Sequence, residues 1–235
     1  MPELILQGPE GRIEARYSRT DDPSAPTALI LHPHPLHGGS MNNKVTYALF
    51  QSFASLGFAC LRFNFRGVGR SQGSYSKGDG ELSDAAAALD WLQLNHPHAS
   101  SCWVAGFSFG AWIGMQILMR RPELAAFVSV APPCNIYDFG FLAPCPTTGL
   151  IIQGDRDKIV PASAQHGLLA KLSKQRGIKI AYDEIKGADH FFTNQIDELR
   201  QSVCAYVYNH MQVLDQKHES MPFVPDPPDL EEEDD

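Results

Sequence analysis

Gly106-Phe107-Ser108-Phe109-Gly110 constrains this chain more than any other stretch. Before it, Ser101-Cys102-Trp103-Val104-Ala105 is short and apolar and predicts a buried strand. After it, the apolar run from Ala111 to Met119 is long enough for a packed helix. A Gly-x-Ser-x-Gly turn between strand and helix strains the serine backbone and lifts its hydroxyl clear of the sheet. Glycines two residues to either side are needed because a side chain there would collide with the neighbouring strand or helix. The bare pentapeptide is common, but its strand–turn–helix setting makes Ser108 a candidate nucleophile.

A serine hydroxyl needs a base, and the base needs an orienting acid. The apolar strand Gly149–Gly154 empties into Asp155-Arg156-Asp157-Lys158-Ile159-Val160-Pro161. The alternating segment Ile178–Tyr182 reads as a strand, followed by a loop holding Gly187-Ala188-Asp189-His190-Phe191-Phe192. Both loops lie past the carboxyl ends of strands, the edge of an open α/β sheet where sites assemble. His190 alone of the nine histidines follows the final strand and precedes the last helix, with Phe191 and Phe192 available to pack beside it. His96, His98, His166, His210 and His218 fall in helix, helix end or tail and read as exposed polar residues. Asp155 and Asp157 compete for the acid role; Asp155 suits capping its own turn. Asp189 is a weaker rival, because adjacent residues rarely face each other.

Acyl chemistry also needs two N–H groups aimed at the oxyanion. Phe109, directly after the serine, supplies one. The other should come from His32-Pro33-His34-Pro35-Leu36-His37-Gly38-Gly39, which follows the strand Thr27–Leu31. The prolines have no N–H, leaving His34, which we favour, and Leu36. Three imidazoles in this loop suggest a metal, but no carboxylate or thiolate accompanies them, and a stiff loop at a pocket mouth is the simpler reading. Neither metal nor cofactor is expected.

Ala28-Leu29-Ile30-Leu31-His32-Pro33-His34-Pro35, Met41-Asn42-Asn43-Lys44, Leu61-Arg62-Phe63-Asn64-Phe65-Arg66-Gly67-Val68-Gly69-Arg70-Ser71, the serine turn and Gly187–Phe192 together resemble one group of sequences. They are short, lidless α/β-hydrolases, mostly bacterial, and the similarity covers about Met1 to Gln212. The resemblance implies a Ser–Asp–His triad at Ser108, Asp157 and His190, since the second aspartate of Gly-Asp-Arg-Asp-Lys-Ile-Val-Pro matches the acid loop of that fold. It implies a serine hydrolase but no natural substrate.

The rest of the chain fits an α/β-hydrolase fold: a mostly parallel sheet with helices on both faces, an N-terminal β-hairpin (Leu4–Gln7 and Arg12–Tyr17) and no lid domain. Helices are expected from about Lys44 to Leu56, Glu81 to Asn95, Pro161 to Gln175 and Asn194 to Val213, with strands at Phe58–Asn64 and Ala125–Val130. The interval from Ala131 to Cys145 is too short for an inserted helical lid and reads either as a pocket wall or as packing over the sheet. Leu36, Phe107, Tyr137 and Phe191 are the candidate substrate-contacting side chains.

The expected domain spans residues 1–214, and residues 215–235, acidic and proline-rich, read as a disordered tail. With 235 residues the chain can bury one sizeable core. Five widely spaced cysteines without a Cys-x-x-Cys pair read as free thiols in a reducing compartment. The start lacks the pattern of a signal peptide, no run is long enough to span a bilayer, and a cytoplasmic location is expected. A net charge of −8 disfavours nucleic acid as a partner. Gly67-Val68-Gly69-Arg70-Ser71-Gln72-Gly73 resembles a dinucleotide loop only superficially, because no helix opens on its third glycine. The expected activity is hydrolysis of esters or thioesters with small to medium acyl groups, with a peptidase of the same fold or a non-catalytic scaffold as alternatives. The expected partner is a small-molecule acyl substrate, and a homodimer is left open.

Overall fold

The computed structural model describes residues 3–142, 144–175 and 177–219, with side chains in the last helix described through residue 213. One eight-stranded sheet forms the frame, in the order β1-β2-β4-β3-β5-β6-β7-β8. Its strands are β1 (Glu3–Gly8), β2 (Gly11–Ser18), β3 (Thr27–Leu31), β4 (Ala59–Phe63), β5 (Cys102–Phe107), β6 (Leu124–Val130), β7 (Gly149–Gly154) and β8 (Ile180–Ile185). The hairpin β1–β2 adds antiparallel to β4, and every pairing from β4 through β8 is parallel.

Five helices connect the strands: α1 (Lys44–Ser55), α2 (Asp79–Asn95), α3 (Phe109–Leu118), α4 (Ala162–Leu172) and α5 (Ile196–Glu219). The expected domain boundary at residue 214 falls inside α5, and the tail from residue 220 lies outside the described residues. Strand β8 begins two residues later than the alternating segment suggested and runs on to Ile185.

The period-two alternation of the strands divides the core into two layers. In β3, Leu29 and Leu31 face α2 and α3, in one core layer with Leu89, Ile113 and, beyond them, Leu168 of α4. Ala28 and Ile30 face the opposite side, where α1 and α5 supply Leu49, Phe53, Val203 and Val207. All five residues of β3 and of β4 and all six of β5 and of β7 are buried, and apart from Arg62 in β4 and Gln153 in β7 these strands are mostly apolar. Trp103 anchors the α1/α5 side, edge-on to Phe53 and Phe58. Each such side chain contributes roughly 1.5–3 kcal/mol on burial.

The glycine-rich loop after β4 builds turns. Gly67, Gly69 and Gly73 all have positive φ. Beside Gly69, the buried Glu14 carboxylate accepts from Asn64 Nδ2 at 2.8 Å and from the Arg70 N–H at 2.9 Å. Arg66 forks onto Asp84 at the buried edge of α2, through Nε at 3.0 Å and Nη2 at 2.7 Å. Cys60, Cys102 and Cys145 are buried, whereas Cys134 and Cys204 are half-buried; all five are free thiols. Among the described residues no helix is long and apolar enough to cross a membrane.

Candidate active site

Ser108 sits between β5 and α3 with φ 53° and ψ −118°. This backbone region costs a non-glycine residue about 1–3 kcal/mol. The residues two positions to either side must be glycines. A Cβ on Gly110 would lie 2.5 Å from the Leu31 carbonyl oxygen and 2.6 Å from that of His32, at the end of β3. A Cβ on Gly106 would strike the backbone of Gly110 across the turn. Strand β5 and helix α3 therefore close on each other only with these two residues bare, and the half-buried Ser108 hydroxyl is left at the rim.

The acid and histidine loops are stitched together by backbone. Asp155 N–H donates to Ile185 O at 3.2 Å and Arg156 N–H to Ala188 O at 3.0 Å. Asp155 does not cap its own turn as expected: its Oδ1 accepts from the Gly187 N–H at 2.6 Å, in the neighbouring loop. A short acidic side chain in a loop finds the nearest unpaired N–H, and here β7 and β8 place that donor across the gap. Gly154 is bare because the Ala188 carbonyl packs against it.

This stitching brings the three distant residues together. His190 Nδ1–H donates to Asp157 Oδ2 at 2.7 Å, and Ser108 Oγ lies 3.2 Å from His190 Nε2. A carboxylate only accepts, so the proton sits on Nδ1 and leaves Nε2 free to accept from the serine. Asp157 Oδ1 accepts from the N–H groups of Ile159 and Val160, both at 2.8 Å. Burial alone would raise the Asp157 pKa, but the hydrogen bonds from His190, Val160 and Ile159 outweigh it and hold the carboxyl below its ordinary value. Asp189 is occupied elsewhere, accepting from Phe191 N–H, Thr193 N–H and Thr193 Oγ1–H to fix the histidine loop.

Phe109 opens α3, where the helix N-terminus presents unpaired N–H groups, and Ser108 makes no side-chain cap there. In the loop after β3, the Leu36 N–H donates to His34 Nδ1 at 3.2 Å. Leu36 is thus engaged, whereas among the described residues the His34 N–H has no hydrogen-bond acceptor. The three histidines of this loop have separate tasks. His32 is fully buried, with Nδ1–H donating to Pro33 O at 2.6 Å and Nε2 accepting from Phe65 N–H at 3.0 Å. Burial pushes its pKa down to about 3, which keeps the ring neutral. His34 and His37 stack at 4.4 Å beside the site.

A cavity of about 230 Å³ opens onto Ser108 and His190, walled by His34, Phe109, Pro133, Ile136, Tyr137 and Phe191. Of the four side chains named from the sequence, Tyr137 and Phe191 line it. Leu36 does not line the cavity: it rides a 3₁₀ turn and is 67% exposed. Phe107 does not line it either. Strand alternation turns it into the α1/α5 core, where it packs under the His190 ring at 5.0 Å. The interval after β6 does both things considered for it: Pro133, Ile136 and Tyr137 form a wall, while Phe139, Leu142 and Cys145 enter the core. Phe191 stands edge-on to His190, whereas Phe192 is fully buried at φ 52°. His96 and His210 are only half-exposed: His96 contacts the Tyr17 hydroxyl, and His210 packs edge-on to Trp103. A larger hollow of about 550 Å³ beside Tyr17, Trp91 and His96 lies toward the amino ends of the strands, away from this chemistry.

Sequence reasoning passed over Gln153 and Gln165, both fully buried behind Asp157. Gln153 was visible as the one polar side chain in the apolar run Leu150-Ile151-Ile152-Gln153.

A family model described as X-Pro dipeptidyl-peptidase (S15 family) matches residues 11–202. Protein RP471 of Rickettsia prowazekii is 53% identical over 211 residues, covering 88% of this chain and 89% of its own. The crystal structure of ATU1826 from Agrobacterium tumefaciens superposes with a TM-score of 0.85 at 54% identity, covering 96% of this chain and all of that one. XC6422 from Xanthomonas campestris, described as an α/β serine hydrolase without lid, matches with a TM-score of 0.78 at 32% identity, over 95% of this chain and 96% of its own. With an α/β-hydrolase fold thus shared across close and distant relatives, the chain belongs to the X-Pro dipeptidyl-peptidase (S15) family.

Proposed function

We propose that the protein is a serine hydrolase that cleaves carboxylic esters or thioesters of small to medium acyl groups through an acyl-enzyme on Ser108. The observation that carries this reading is the continuous line of hydrogen bonds from Asp157 through His190 to Ser108 on a strained turn. Ser108 Oγ attacks the carbonyl carbon while His190 Nε2 takes its proton. Asp157 holds the ring and stabilises the imidazolium. The N–H groups of Phe109 and His34 receive the oxyanion. His190 then returns the proton to the leaving oxygen or sulfur, and water releases the acyl group by the same steps in reverse.

The cavity supports the size class. Sites that engulf drug-sized ligands run to ~300–1,000 Å³, and about 230 Å³ suits a smaller acyl group. Its wall is mainly apolar and aromatic. The family's description favours one other reading, a dipeptidyl-peptidase. Such an enzyme must hold a free ammonium, and no carboxylate stands among the described lining residues. A panel of p-nitrophenyl esters of increasing chain length, run beside acyl-CoA and X-Pro dipeptide substrates, tests the proposal. Turnover highest on short to medium esters or thioesters, absent in Ser108→Ala, is expected; turnover confined to X-Pro substrates would replace it with the peptidase.

A further inference from the structure

Two amides behind the acid loop bond each other, Asp157 and the backbone of Val160 and Pro132. Gln153 Nε2 donates to Asp157 Oδ2 at 3.0 Å and to Val160 O at 2.8 Å. Gln165, on α4, donates through Nε2 to Gln153 Oε1 at 2.9 Å and to Pro132 O at 2.7 Å. The Cys134 thiol shares its one proton between Ala164 O at 3.2 Å and Gln165 Oε1 at 3.3 Å. These bonds fix the orientation of both amides. A flipped Gln153 would set its oxygen against the Asp157 carboxylate and the Val160 carbonyl, and a flipped Gln165 would set oxygen against Pro132 and Gln153. Both side chains are fully buried, so no water competes for these sites.

The Asp157 carboxylate therefore receives four donors: two backbone N–H groups on Oδ1, and His190 Nδ1–H with Gln153 Nε2–H on Oδ2. Gln153 shares the very oxygen that orients the histidine. The same line of bonds continues through Gln165 to Pro132, next to the cavity residue Pro133. Two buried amides facing inward from a strand and a helix are costly to desolvate unless fully paired. Here every polar atom of the pair is used, and its terminus is the triad carboxylate.

We propose that Gln153, clamped by Gln165, is a positioning residue that sets the aim and the charge of Asp157 and ties both to the pocket wall. The inference rests on the serine hydrolase reading above. Gln153 acts by dispersing carboxylate charge on Oδ2 and by preventing rotation of the carboxylate away from His190. Without it the carboxylate becomes more basic and holds the positive charge that develops on the ring more strongly, while its aim toward His190 loosens. Besides Asp157, the titratable groups around the histidine are Asp189, engaged by Phe191 and Thr193, and His34, His37 and Tyr137 across the cavity; among the described residues none of them bonds either amide.

The test uses Gln153→Met and Gln165→Met, which keep volume and remove the polar atoms. For Gln153→Met we expect kcat to fall about tenfold to a hundredfold, the range for a hydrogen bond to a charged group, with KM little changed. The acid limb of the kcat/KM profile should move to higher pH. Gln165→Met should move the limb the same way by less and raise KM, because it also frees Pro132. The double variant should be no worse than Gln153→Met, as expected of one linked unit. A folded Gln153→Met protein with wild-type kcat and an unmoved acid limb would overturn the proposal. If that variant does not fold, Gln165→Met decides by the same limb. The proton resonance of His190 Nδ1–H, which is bonded to Asp157 Oδ2, supplies by NMR a readout independent of turnover. A wild-type protein inert to acyl substrates with a His190 Nδ1–H resonance that shifts in Gln153→Met would sink the hydrolase reading and leave the positioning intact; an unmoved resonance would sink the positioning.

Discussion

Replacing Asp157 by asparagine changes one atom, and the surrounding donors make the consequence calculable. Oδ1 accepts two backbone N–H groups, from Ile159 and Val160, while Oδ2 accepts His190 Nδ1–H and Gln153 Nε2–H. An asparagine that keeps its oxygen on the two backbone donors turns its NH₂ toward His190 and Gln153. That NH₂ donates to Nδ1, so the ring proton moves to Nε2, which faces Ser108 at 3.2 Å as a donor and cannot take the serine proton. The opposite rotamer restores the histidine tautomer but sets NH₂ against two N–H groups, costing about 1–3 kcal/mol for each unsatisfied donor. The wrong tautomer is therefore the ground state, and kcat/KM should fall about 10⁴-fold, equivalent to ~5.5 kcal/mol of transition-state stabilisation. Hydrolysis of p-nitrophenyl butyrate at neutral pH, alongside circular dichroism to verify folding, measures it. A folded Asp157→Asn enzyme within tenfold of wild type would refute the assignment of Asp157 as orienting acid.

Three further outcomes follow from packing and charge. Gly110→Ala places a methyl 2.5 Å from the Leu31 carbonyl, a rigid backbone atom, and should lower unfolding stability by about 1–3 kcal/mol in urea titrations while also reducing turnover. Buried His32, neutral with a pKa lowered to about 3, is protonated more readily in the unfolded chain. Its contribution is therefore complete above the unfolded value near 6.5 and is lost as pH falls toward 3, amounting to about 3 kcal/mol between pH 7 and pH 4. His32→Gln should flatten that part of the stability–pH curve, and an unchanged slope would contradict the buried neutral ring. Asp84→Ala leaves the Arg66 guanidinium, 7% exposed, without its forked partner and should cost about 3–5 kcal/mol in thermal or urea unfolding.

The parallel core was readable because β3 to β7 are almost wholly buried and appear as mostly apolar runs between loops, interrupted only by Arg62, Ser129 and Gln153. Strand β8 was harder: it is an edge strand, mostly half-buried, and Asp183 and Glu184 interrupt its pattern. The serine and histidine were legible because each follows a strand and precedes a helix. Pocket side chains were legible only in part, since their direction depends on tertiary context: Tyr137 and Phe191 line the cavity, Leu36 and Phe107 do not. Phe107 directly precedes the serine yet points into the core, and Leu36 neighbours a cavity residue yet points to solvent. Asp155 shows the same limit, because its partner Gly187 is supplied by a different strand. Gln153 carried a signal, polarity in a buried strand, but its partner is named only when α4 folds over it.

The central claim is that the hydroxyl of Ser108 is made nucleophilic by its two distant partners. Mass mapping after treatment with a fluorophosphonate probe tests it most directly. We predict a single adduct on the peptide bearing Ser108, abolished in Ser108→Ala and formed at least a hundredfold more slowly in His190→Ala, on the scale of general-base catalysis (about 10²–10⁴-fold). No adduct on the folded protein, or labelling that persists in Ser108→Ala, would contradict it.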